Sequence, residues 1–408
     1  MTTIEAQGAT ETKTTVSPIT EPDFSLVAGG LLFRIFRQTH LSGPTLEWLK
    51  RRALVITLIV WLPLLFLSLI DGHALHGAIR IPFLRDIEAH VRFLVALPLL
   101  IVAEVTVQRR IGPAVRDLIS RGIVTTQDLP KLAAAISSAT RIRDSFATEA
   151  LMILFIYSFG LWFWRTQIAL GTATWYAIPQ ASHMNLTLAG YWYAYISIPV
   201  FQFILLRWYF RLWLWIRFLW QISRLKLRLR ASHPDLAGGI GFLGKVSYSF
   251  CPFLFAQGAL LSGLIASRVL YGGRTLQSFK IEALGYVGFF LLVVLAPLAL
   301  FSPLLLHTEH EGRAKYGSLA NQYVSQFEQK WLEGSTPGTE QLLGTADIQS
   351  LADLANSYAV IRQMRIVPFG LDDVIRLAAT TAAPLLPLGL IVFSPSELLS
   401  SLIKVLFR

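Results

Sequence analysis

Residues 53–70 read ALVITLIVWLPLLFLSLI, eighteen positions without a charged side chain. A helix rises about 1.5 Å per residue, so this run is about 27 Å long, close to the hydrocarbon thickness of a bilayer. It starts too late and runs too long for the apolar core of a cleavable signal peptide, which makes it a retained membrane anchor. Ahead of it, residues 1–24 are polar and Thr-rich and are expected to be disordered, leaving 25–408 as a single helical membrane domain.

Comparable runs follow at 89–107, 149–164, 188–208, 247–267, 283–306 and 377–393, predicting an all-α, polytopic helical membrane protein of about seven transmembrane helices. The last piece, Pro395 to Arg408, is too short to cross and is expected to form a short interfacial helix. Composition agrees, because 54% hydrophobic and 15% charged residues exceed what a soluble fold of 408 residues needs to bury. The net charge of +11 sits in short loops between apolar runs, as the positive-inside rule produces, so anionic membrane lipids rather than nucleic acid are the expected partner. The single cysteine, Cys251, lies in an apolar stretch and excludes an internal disulfide. No cofactor and no protein partner is indicated.

Loop charge orients the spans. Arginines and lysines cluster before the first span and at 108–148, 209–246 and 307–373, which are read as cytoplasmic helical segments, with the N-terminus inside. Residues 165–187 carry only Arg165 and are read as outside. Tyr316, Leu319, Tyr323, Phe327 and Trp331 recur at helical spacing, as do Ile348, Leu351, Leu354, Tyr358 and Ile361. Two amphipathic cytoplasmic helices follow, joined by a Gly334 to Gly344 linker and expected to pack on the helices at 113–145.

Charged residues within the apolar runs are the candidates for function. Arg207, Arg211, Arg217, Arg224 and Arg228 share one helix face, interleaved with Trp208, Trp213, Trp215 and Trp220, which reads as a helix leaving the bilayer through the headgroup layer. The alternative is a voltage sensor or anion pathway, for which only Arg207 and Arg211 could lie within the bilayer. Glu88 and Arg92 are four residues apart and can pair. Glu104 has no local partner beyond Gln108 and is expected either to reach the cytoplasmic headgroups or to be a buried carboxylate facing a polar pathway. Two clusters hold metal-ligand residue types. Asp71, His73, His76, Asp86, Glu88 and His90 surround the first hairpin; His233 and Asp235, with His307 and His310, lie on the inner side.

The most distinctive stretch is HPDLAGGIGFLGK, residues 233–245. Gly239, Gly241 and Gly244 spell GxGxxG, but an arginine-rich helix precedes them where a nucleotide fold requires a strand. Pro234 is expected to end that helix, and Asp235 to cap the next turn. The free amides of the following span, with Arg224, Arg228 and Lys245 nearby, then suit a phosphate or carboxylate. Glycines also suit plain close packing of two helices, and that alternative stays open.

The HPDLAGGIGFLG loop, AKYGSLANQYVSQFEQKW at 314–331, DIQSLADLANSY at 347–358 and the PLLPLGLIVF turn together resemble a group of bacterial multi-pass inner-membrane proteins. The resemblance implies a bacterial inner membrane and carries no activity with it. Two function classes are expected. One is a non-enzymatic transporter, channel or signalling scaffold with a basic, anion- or lipid-headgroup-binding cytoplasmic face, whose spans are loosened by Pro63, Pro98, Pro199, Pro252, Pro297, Pro384 and Pro387. The other is a membrane-embedded enzyme acting on a lipid or phosphorylated substrate through the His233 and His307 clusters.

Overall fold

A computed structural model describes residues 24–27, 29, 49–75, 79–160, 162, 173–180, 183–333 and 345–392. Among them are nine helices: α1 (Leu49–Ile70), α2 (Ile87–Ser120), α3 (Leu129–Arg143), α4 (Phe146–Gly160), α5 (Leu188–Ser223), α6 (Phe242–Gly272), α7 (Leu276–Trp331), α8 (Ala346–Arg362) and α9 (Leu371–Ala382). Helix α9 continues as tight turns through Ala383–Leu388 to Gly389–Val392. The expectations for residues 1–23, for the 334–344 linker, for His76 and for the Pro395–Arg408 piece lie outside the described residues.

Five of these helices, α1, α2, α5, α6 and α7, are long and apolar enough to cross a membrane. The chain is thus a helical, multi-pass membrane protein. The two other expected spans fall on α4, a shorter apolar helix, and on α9 with its tight turns. Helix α6 is the central one, and its glycines let neighbours close on it. A Cβ on Gly258 would fall on the Thr381 carbonyl of α9, and one on Gly263 would come within 3.2 Å of Val91 on α2.

Helices α2 and α5 share a second feature. Each contains a widened, π-helical turn, at Val91–Ala96 and at Tyr193–Ser197, immediately before Pro98 and Pro199. Proline lacks an N–H and its ring collides with the carbonyl four residues back, and a wider turn relieves both conflicts. A third such turn, Ile156–Gly160, ends the described part of α4.

Residues 165–187 are expected only as an outer loop, yet Ala177–Gln180 and His183–Leu186 pair as an antiparallel hairpin, β1 and β2. It is anchored by Trp175, fully buried, whose indole N–H donates to Asp86 Oδ2 at 2.8 Å. Trp175 meets Phe83 and Tyr193 edge-on. Asp86 also accepts from the Ala89 amide at 3.0 Å, and Trp61 donates to His90 at 3.3 Å. Asp86 and His90 are therefore engaged as a cap and hydrogen-bond acceptors, Asp71 accepts from the Ala189 amide at 3.4 Å, and Glu88 pairs with Arg92.

At the opposite, basic end, α7 runs on as one helix into the polar region and α8 folds back along it, with Tyr323 donating to the Asp347 carbonyl at 3.0 Å and Trp331 to its carboxylate at 3.1 Å. The two amphipathic helices thus pack on each other. The place expected for them is filled otherwise: α3 lies against α5, where Arg217 donates to Ser138 at 3.0 Å.

Candidate functional site

The basic helix stops earlier than Pro234 requires. Helix α5 ends at Ser223, and residues 225–230 run extended beside the turn after α2. The Arg228 amide donates to the Ile123 carbonyl at 2.7 Å, and Lys226 N–H to Asp128 Oδ2 at 2.7 Å. The sequence there is LKLRLR, an alternation of period two, with leucines turned inward and cations exposed. Arg224 and Arg228 consequently leave the helical stripe; Arg224 lies over Trp220 at 4.2 Å, and Arg228 is exposed.

The 233–245 turn gathers amide donors, as its glycines suggest, and fills them from within. The Asp235 carboxylate accepts from the backbone N–H groups of Ala237 at 2.9 Å, Gly239 at 3.0 Å and Gly241 at 2.8 Å. Burial pushes this carboxyl up, but the three amide donors and His233 outweigh it and hold Asp235 below the usual carboxylate range. Gly238 and Gly239 adopt φ values of 65° and 97°, open to glycine at little cost. Gly244 serves contact instead, since a Cβ there would meet the Pro368 carbonyl and Phe369. Arg365 locks the turn, its amide donating to the Leu236 carbonyl at 2.7 Å. Lys245 is exposed. Of the donors expected to meet an incoming anion, the amides of Gly239 and Gly241 are therefore occupied, while the side chains of Arg224, Arg228 and Lys245 face outward.

The inner histidines stay in separate pairs. His233 Nδ1 lies 2.8 Å from Asp235, His307 Nε2 lies 3.2 Å from Glu311, and His310 is exposed. Among the described residues no three His, Cys, Asp or Glu side chains gather closely enough to hold a metal ion. The constellation that a metal-dependent enzyme would need at His233, Asp235, His307 and His310 is not assembled there.

A different centre forms where α1, α2, α4 and α5 meet near their basic ends. Glu104 of α2 turns into the bundle, largely shielded between Arg52 of α1, with which it pairs, and Arg211 of α5 at 2.7 Å. Arg207, one turn from Arg211, is 9% exposed, and its nearest described carboxylate is Glu149 of α4, 3.9 Å away. That distance is too long for a hydrogen bond. Arg211 also lies over the Trp208 ring at 4.9 Å, while the buried Trp208 indole donates to the Leu100 carbonyl at 2.8 Å. Arg207 is thus the guanidinium of this centre that has no carboxylate within hydrogen-bonding distance among the described residues. Two small voids of about 10 Å³, each room for about one water, flank Arg207 and Arg211.

Sequence reading places Arg207 and Arg211 on one helix face with the indoles beside them; Trp208 and Trp215 of that stripe are buried within the bundle, and Trp213 and Trp220 are exposed. No protein family, curated protein or solved structure matches the chain.

Proposed function

We propose that this chain is a non-enzymatic protein of the bacterial inner membrane, of the transport class, that accepts an anion from the cytoplasm into the arginine centre of Arg52, Arg207 and Arg211. The observation that carries this reading is the buried guanidinium of Arg207, which has no carboxylate within hydrogen-bonding distance among the described residues. Ionisable side chains are costly within a membrane and are retained where a substrate or ion uses them. Arginine stays charged under such conditions, and its planar fork matches carboxylate and phosphate oxygens.

The topology that fits is seven crossings, with α4 and α9 completing the five longer helices, and with the N-terminus and the 108–148, 209–246 and 307–373 segments inside. This puts the arginine centre at the cytoplasmic edge of the hydrocarbon core. Exposed Arg224, Lys226, Arg228, Arg230 and Lys245 then form a surface that attracts anions and anionic headgroups.

The test is thermal unfolding of the purified protein in neutral detergent with inorganic phosphate and short phosphate and carboxylate esters. A stabilising anion is expected to raise the midpoint in the parent, and Arg207→Gln to remove the rise. A parent protein that no anion stabilises would refute the reading.

A further inference from the structure

The helices that carry the arginine centre also wall an apolar groove of about 420 Å³, within the size range of ligand pockets. Ile56 and Val60 line it from α1, Ile153 and Tyr157 from α4, and Val200 and Ile204 from α5. Ile153 and Tyr157 are exposed, so the groove opens on the side of the bundle that faces lipid. Charge and apolar surface are layered in the same sense on all three helices. Arg52 lies one turn from Ile56, Glu149 one turn from Ile153, and Arg207 one turn from Ile204. Ile56 and Ile204 line both the groove and the void beside Arg52, Glu104 and Arg207, so the two spaces adjoin.

We infer that the ligand of this centre is an amphiphile, with an anionic headgroup at Arg207 and a long apolar chain in the groove. The inference rests on the anion reading above and names its substrate class. A chainless anion leaves the apolar walls unused, and a neutral lipid leaves the buried Arg207 guanidinium unanswered. The geometry also matches a lipid lying in its own leaflet. With the arginines at the edge of the hydrocarbon core, the distance from Arg52 to Val60 is about 12 Å along α1, directed into the membrane. A molecule entering sideways from the inner leaflet would need no reorientation.

Native mass spectrometry in neutral detergent, titrated with inorganic phosphate, butyl phosphate, octyl phosphate, dodecyl phosphate and dodecanol, tests this. Each methylene that enters the groove should tighten binding by roughly fourfold until the groove is full, so dodecyl phosphate should bind far more tightly than butyl phosphate. Arg207→Gln should remove this preference for the phosphate over dodecanol. Val200→Trp, which fills the groove, should abolish the chain-length dependence and leave phosphate binding; Ile153→Trp at the exposed rim replaces it if that variant does not fold. Equal binding of all four phosphates, unchanged by either tryptophan, would overturn the amphiphile and leave the anion reading standing. Failure of every phosphate to bind the parent would overturn both. A tryptophan variant that unfolds at lower temperature without ligand, yet keeps the parent's chain-length dependence, would show that the chain itself covers the groove.

Discussion

Glu104 holds together two cations, Arg52 and Arg211, that would otherwise repel one another inside the bundle. Removing one partner from a buried ion pair costs about 3–5 kcal/mol, because the remaining charge is left uncompensated. Glu104→Gln is expected to lose most of that stability in thermal unfolding of the detergent-solubilised protein, and Arg211→Gln added to it to restore a part. Equal stability of Glu104→Gln and the parent would mean that the arginines find other counter-charges. Asp235 works in the same way on the backbone, and its effect has a pH signature. Its folded carboxyl is held below the ordinary value, so the unfolded chain takes up the proton first as pH falls. Its stabilisation is complete above the unfolded value of about 3.9 and disappears as pH drops through the folded one. Asp235→Asn should therefore cost about 1–2 kcal/mol at neutral pH, and its melting temperature should approach that of the parent in acid. A constant gap across the acid range would contradict this assignment. The two residues differ in how readily they can be read from the sequence. Asp235 caps amides two to six residues away, so it can be recognised locally, whereas the partners of Glu104 come from residues 52 and 211 and only the fold unites them.

The 225–246 connection shows the same limit for whole elements. A basic stripe at helical spacing reads as one long helix, but LKLRLR also alternates with period two, and pairing with Ile123 and Val124 decides in favour of the extended form. The amphipathic helices α7 and α8 are legible from their periodicity, yet periodicity cannot name a partner, and each turns out to pack on the other. Glycines are ambiguous for a related reason, since a sequence does not distinguish those that bend the chain from those that let another element close in. Gly244 is of the second kind. Gly244→Val should force Pro368 and Phe369 away from α6 and cost about 1–3 kcal/mol, whereas Lys245→Ala next to it should stay within about 0.5 kcal/mol. Limited proteolysis between α8 and α9 would check this, with faster cleavage expected in Gly244→Val alone.

At the scale of the molecule, hydropathy is informative because lipid offers no hydrogen bonds to the backbone and only closed structures such as helices can cross it. Five crossing helices are legible for that reason. Helices α4 and α9 are harder, as their apolar stretches are short or broken by prolines. The proposed orientation predicts that a single cysteine at Asn185 reacts with an impermeant maleimide from outside in a Cys251→Ala background, and that one at Gln349 reacts only after the membrane is opened. The reverse labelling would invert the topology and place the arginine centre at the outer edge of the hydrocarbon core. The widened turns before Pro98 and Pro199 have a further consequence for the angular phase of the bundle. Each holds about one residue more than an ordinary turn, so Glu104 and Arg211 lie about 100° around their helices from where a regular wheel, counted from the N-terminal end, would put them. The two helices carry matching offsets upstream of the charges that meet. Regularising one turn alone would swing Glu104 or Arg211 out of the shared centre, so the contact between them depends on the two irregularities staying in step.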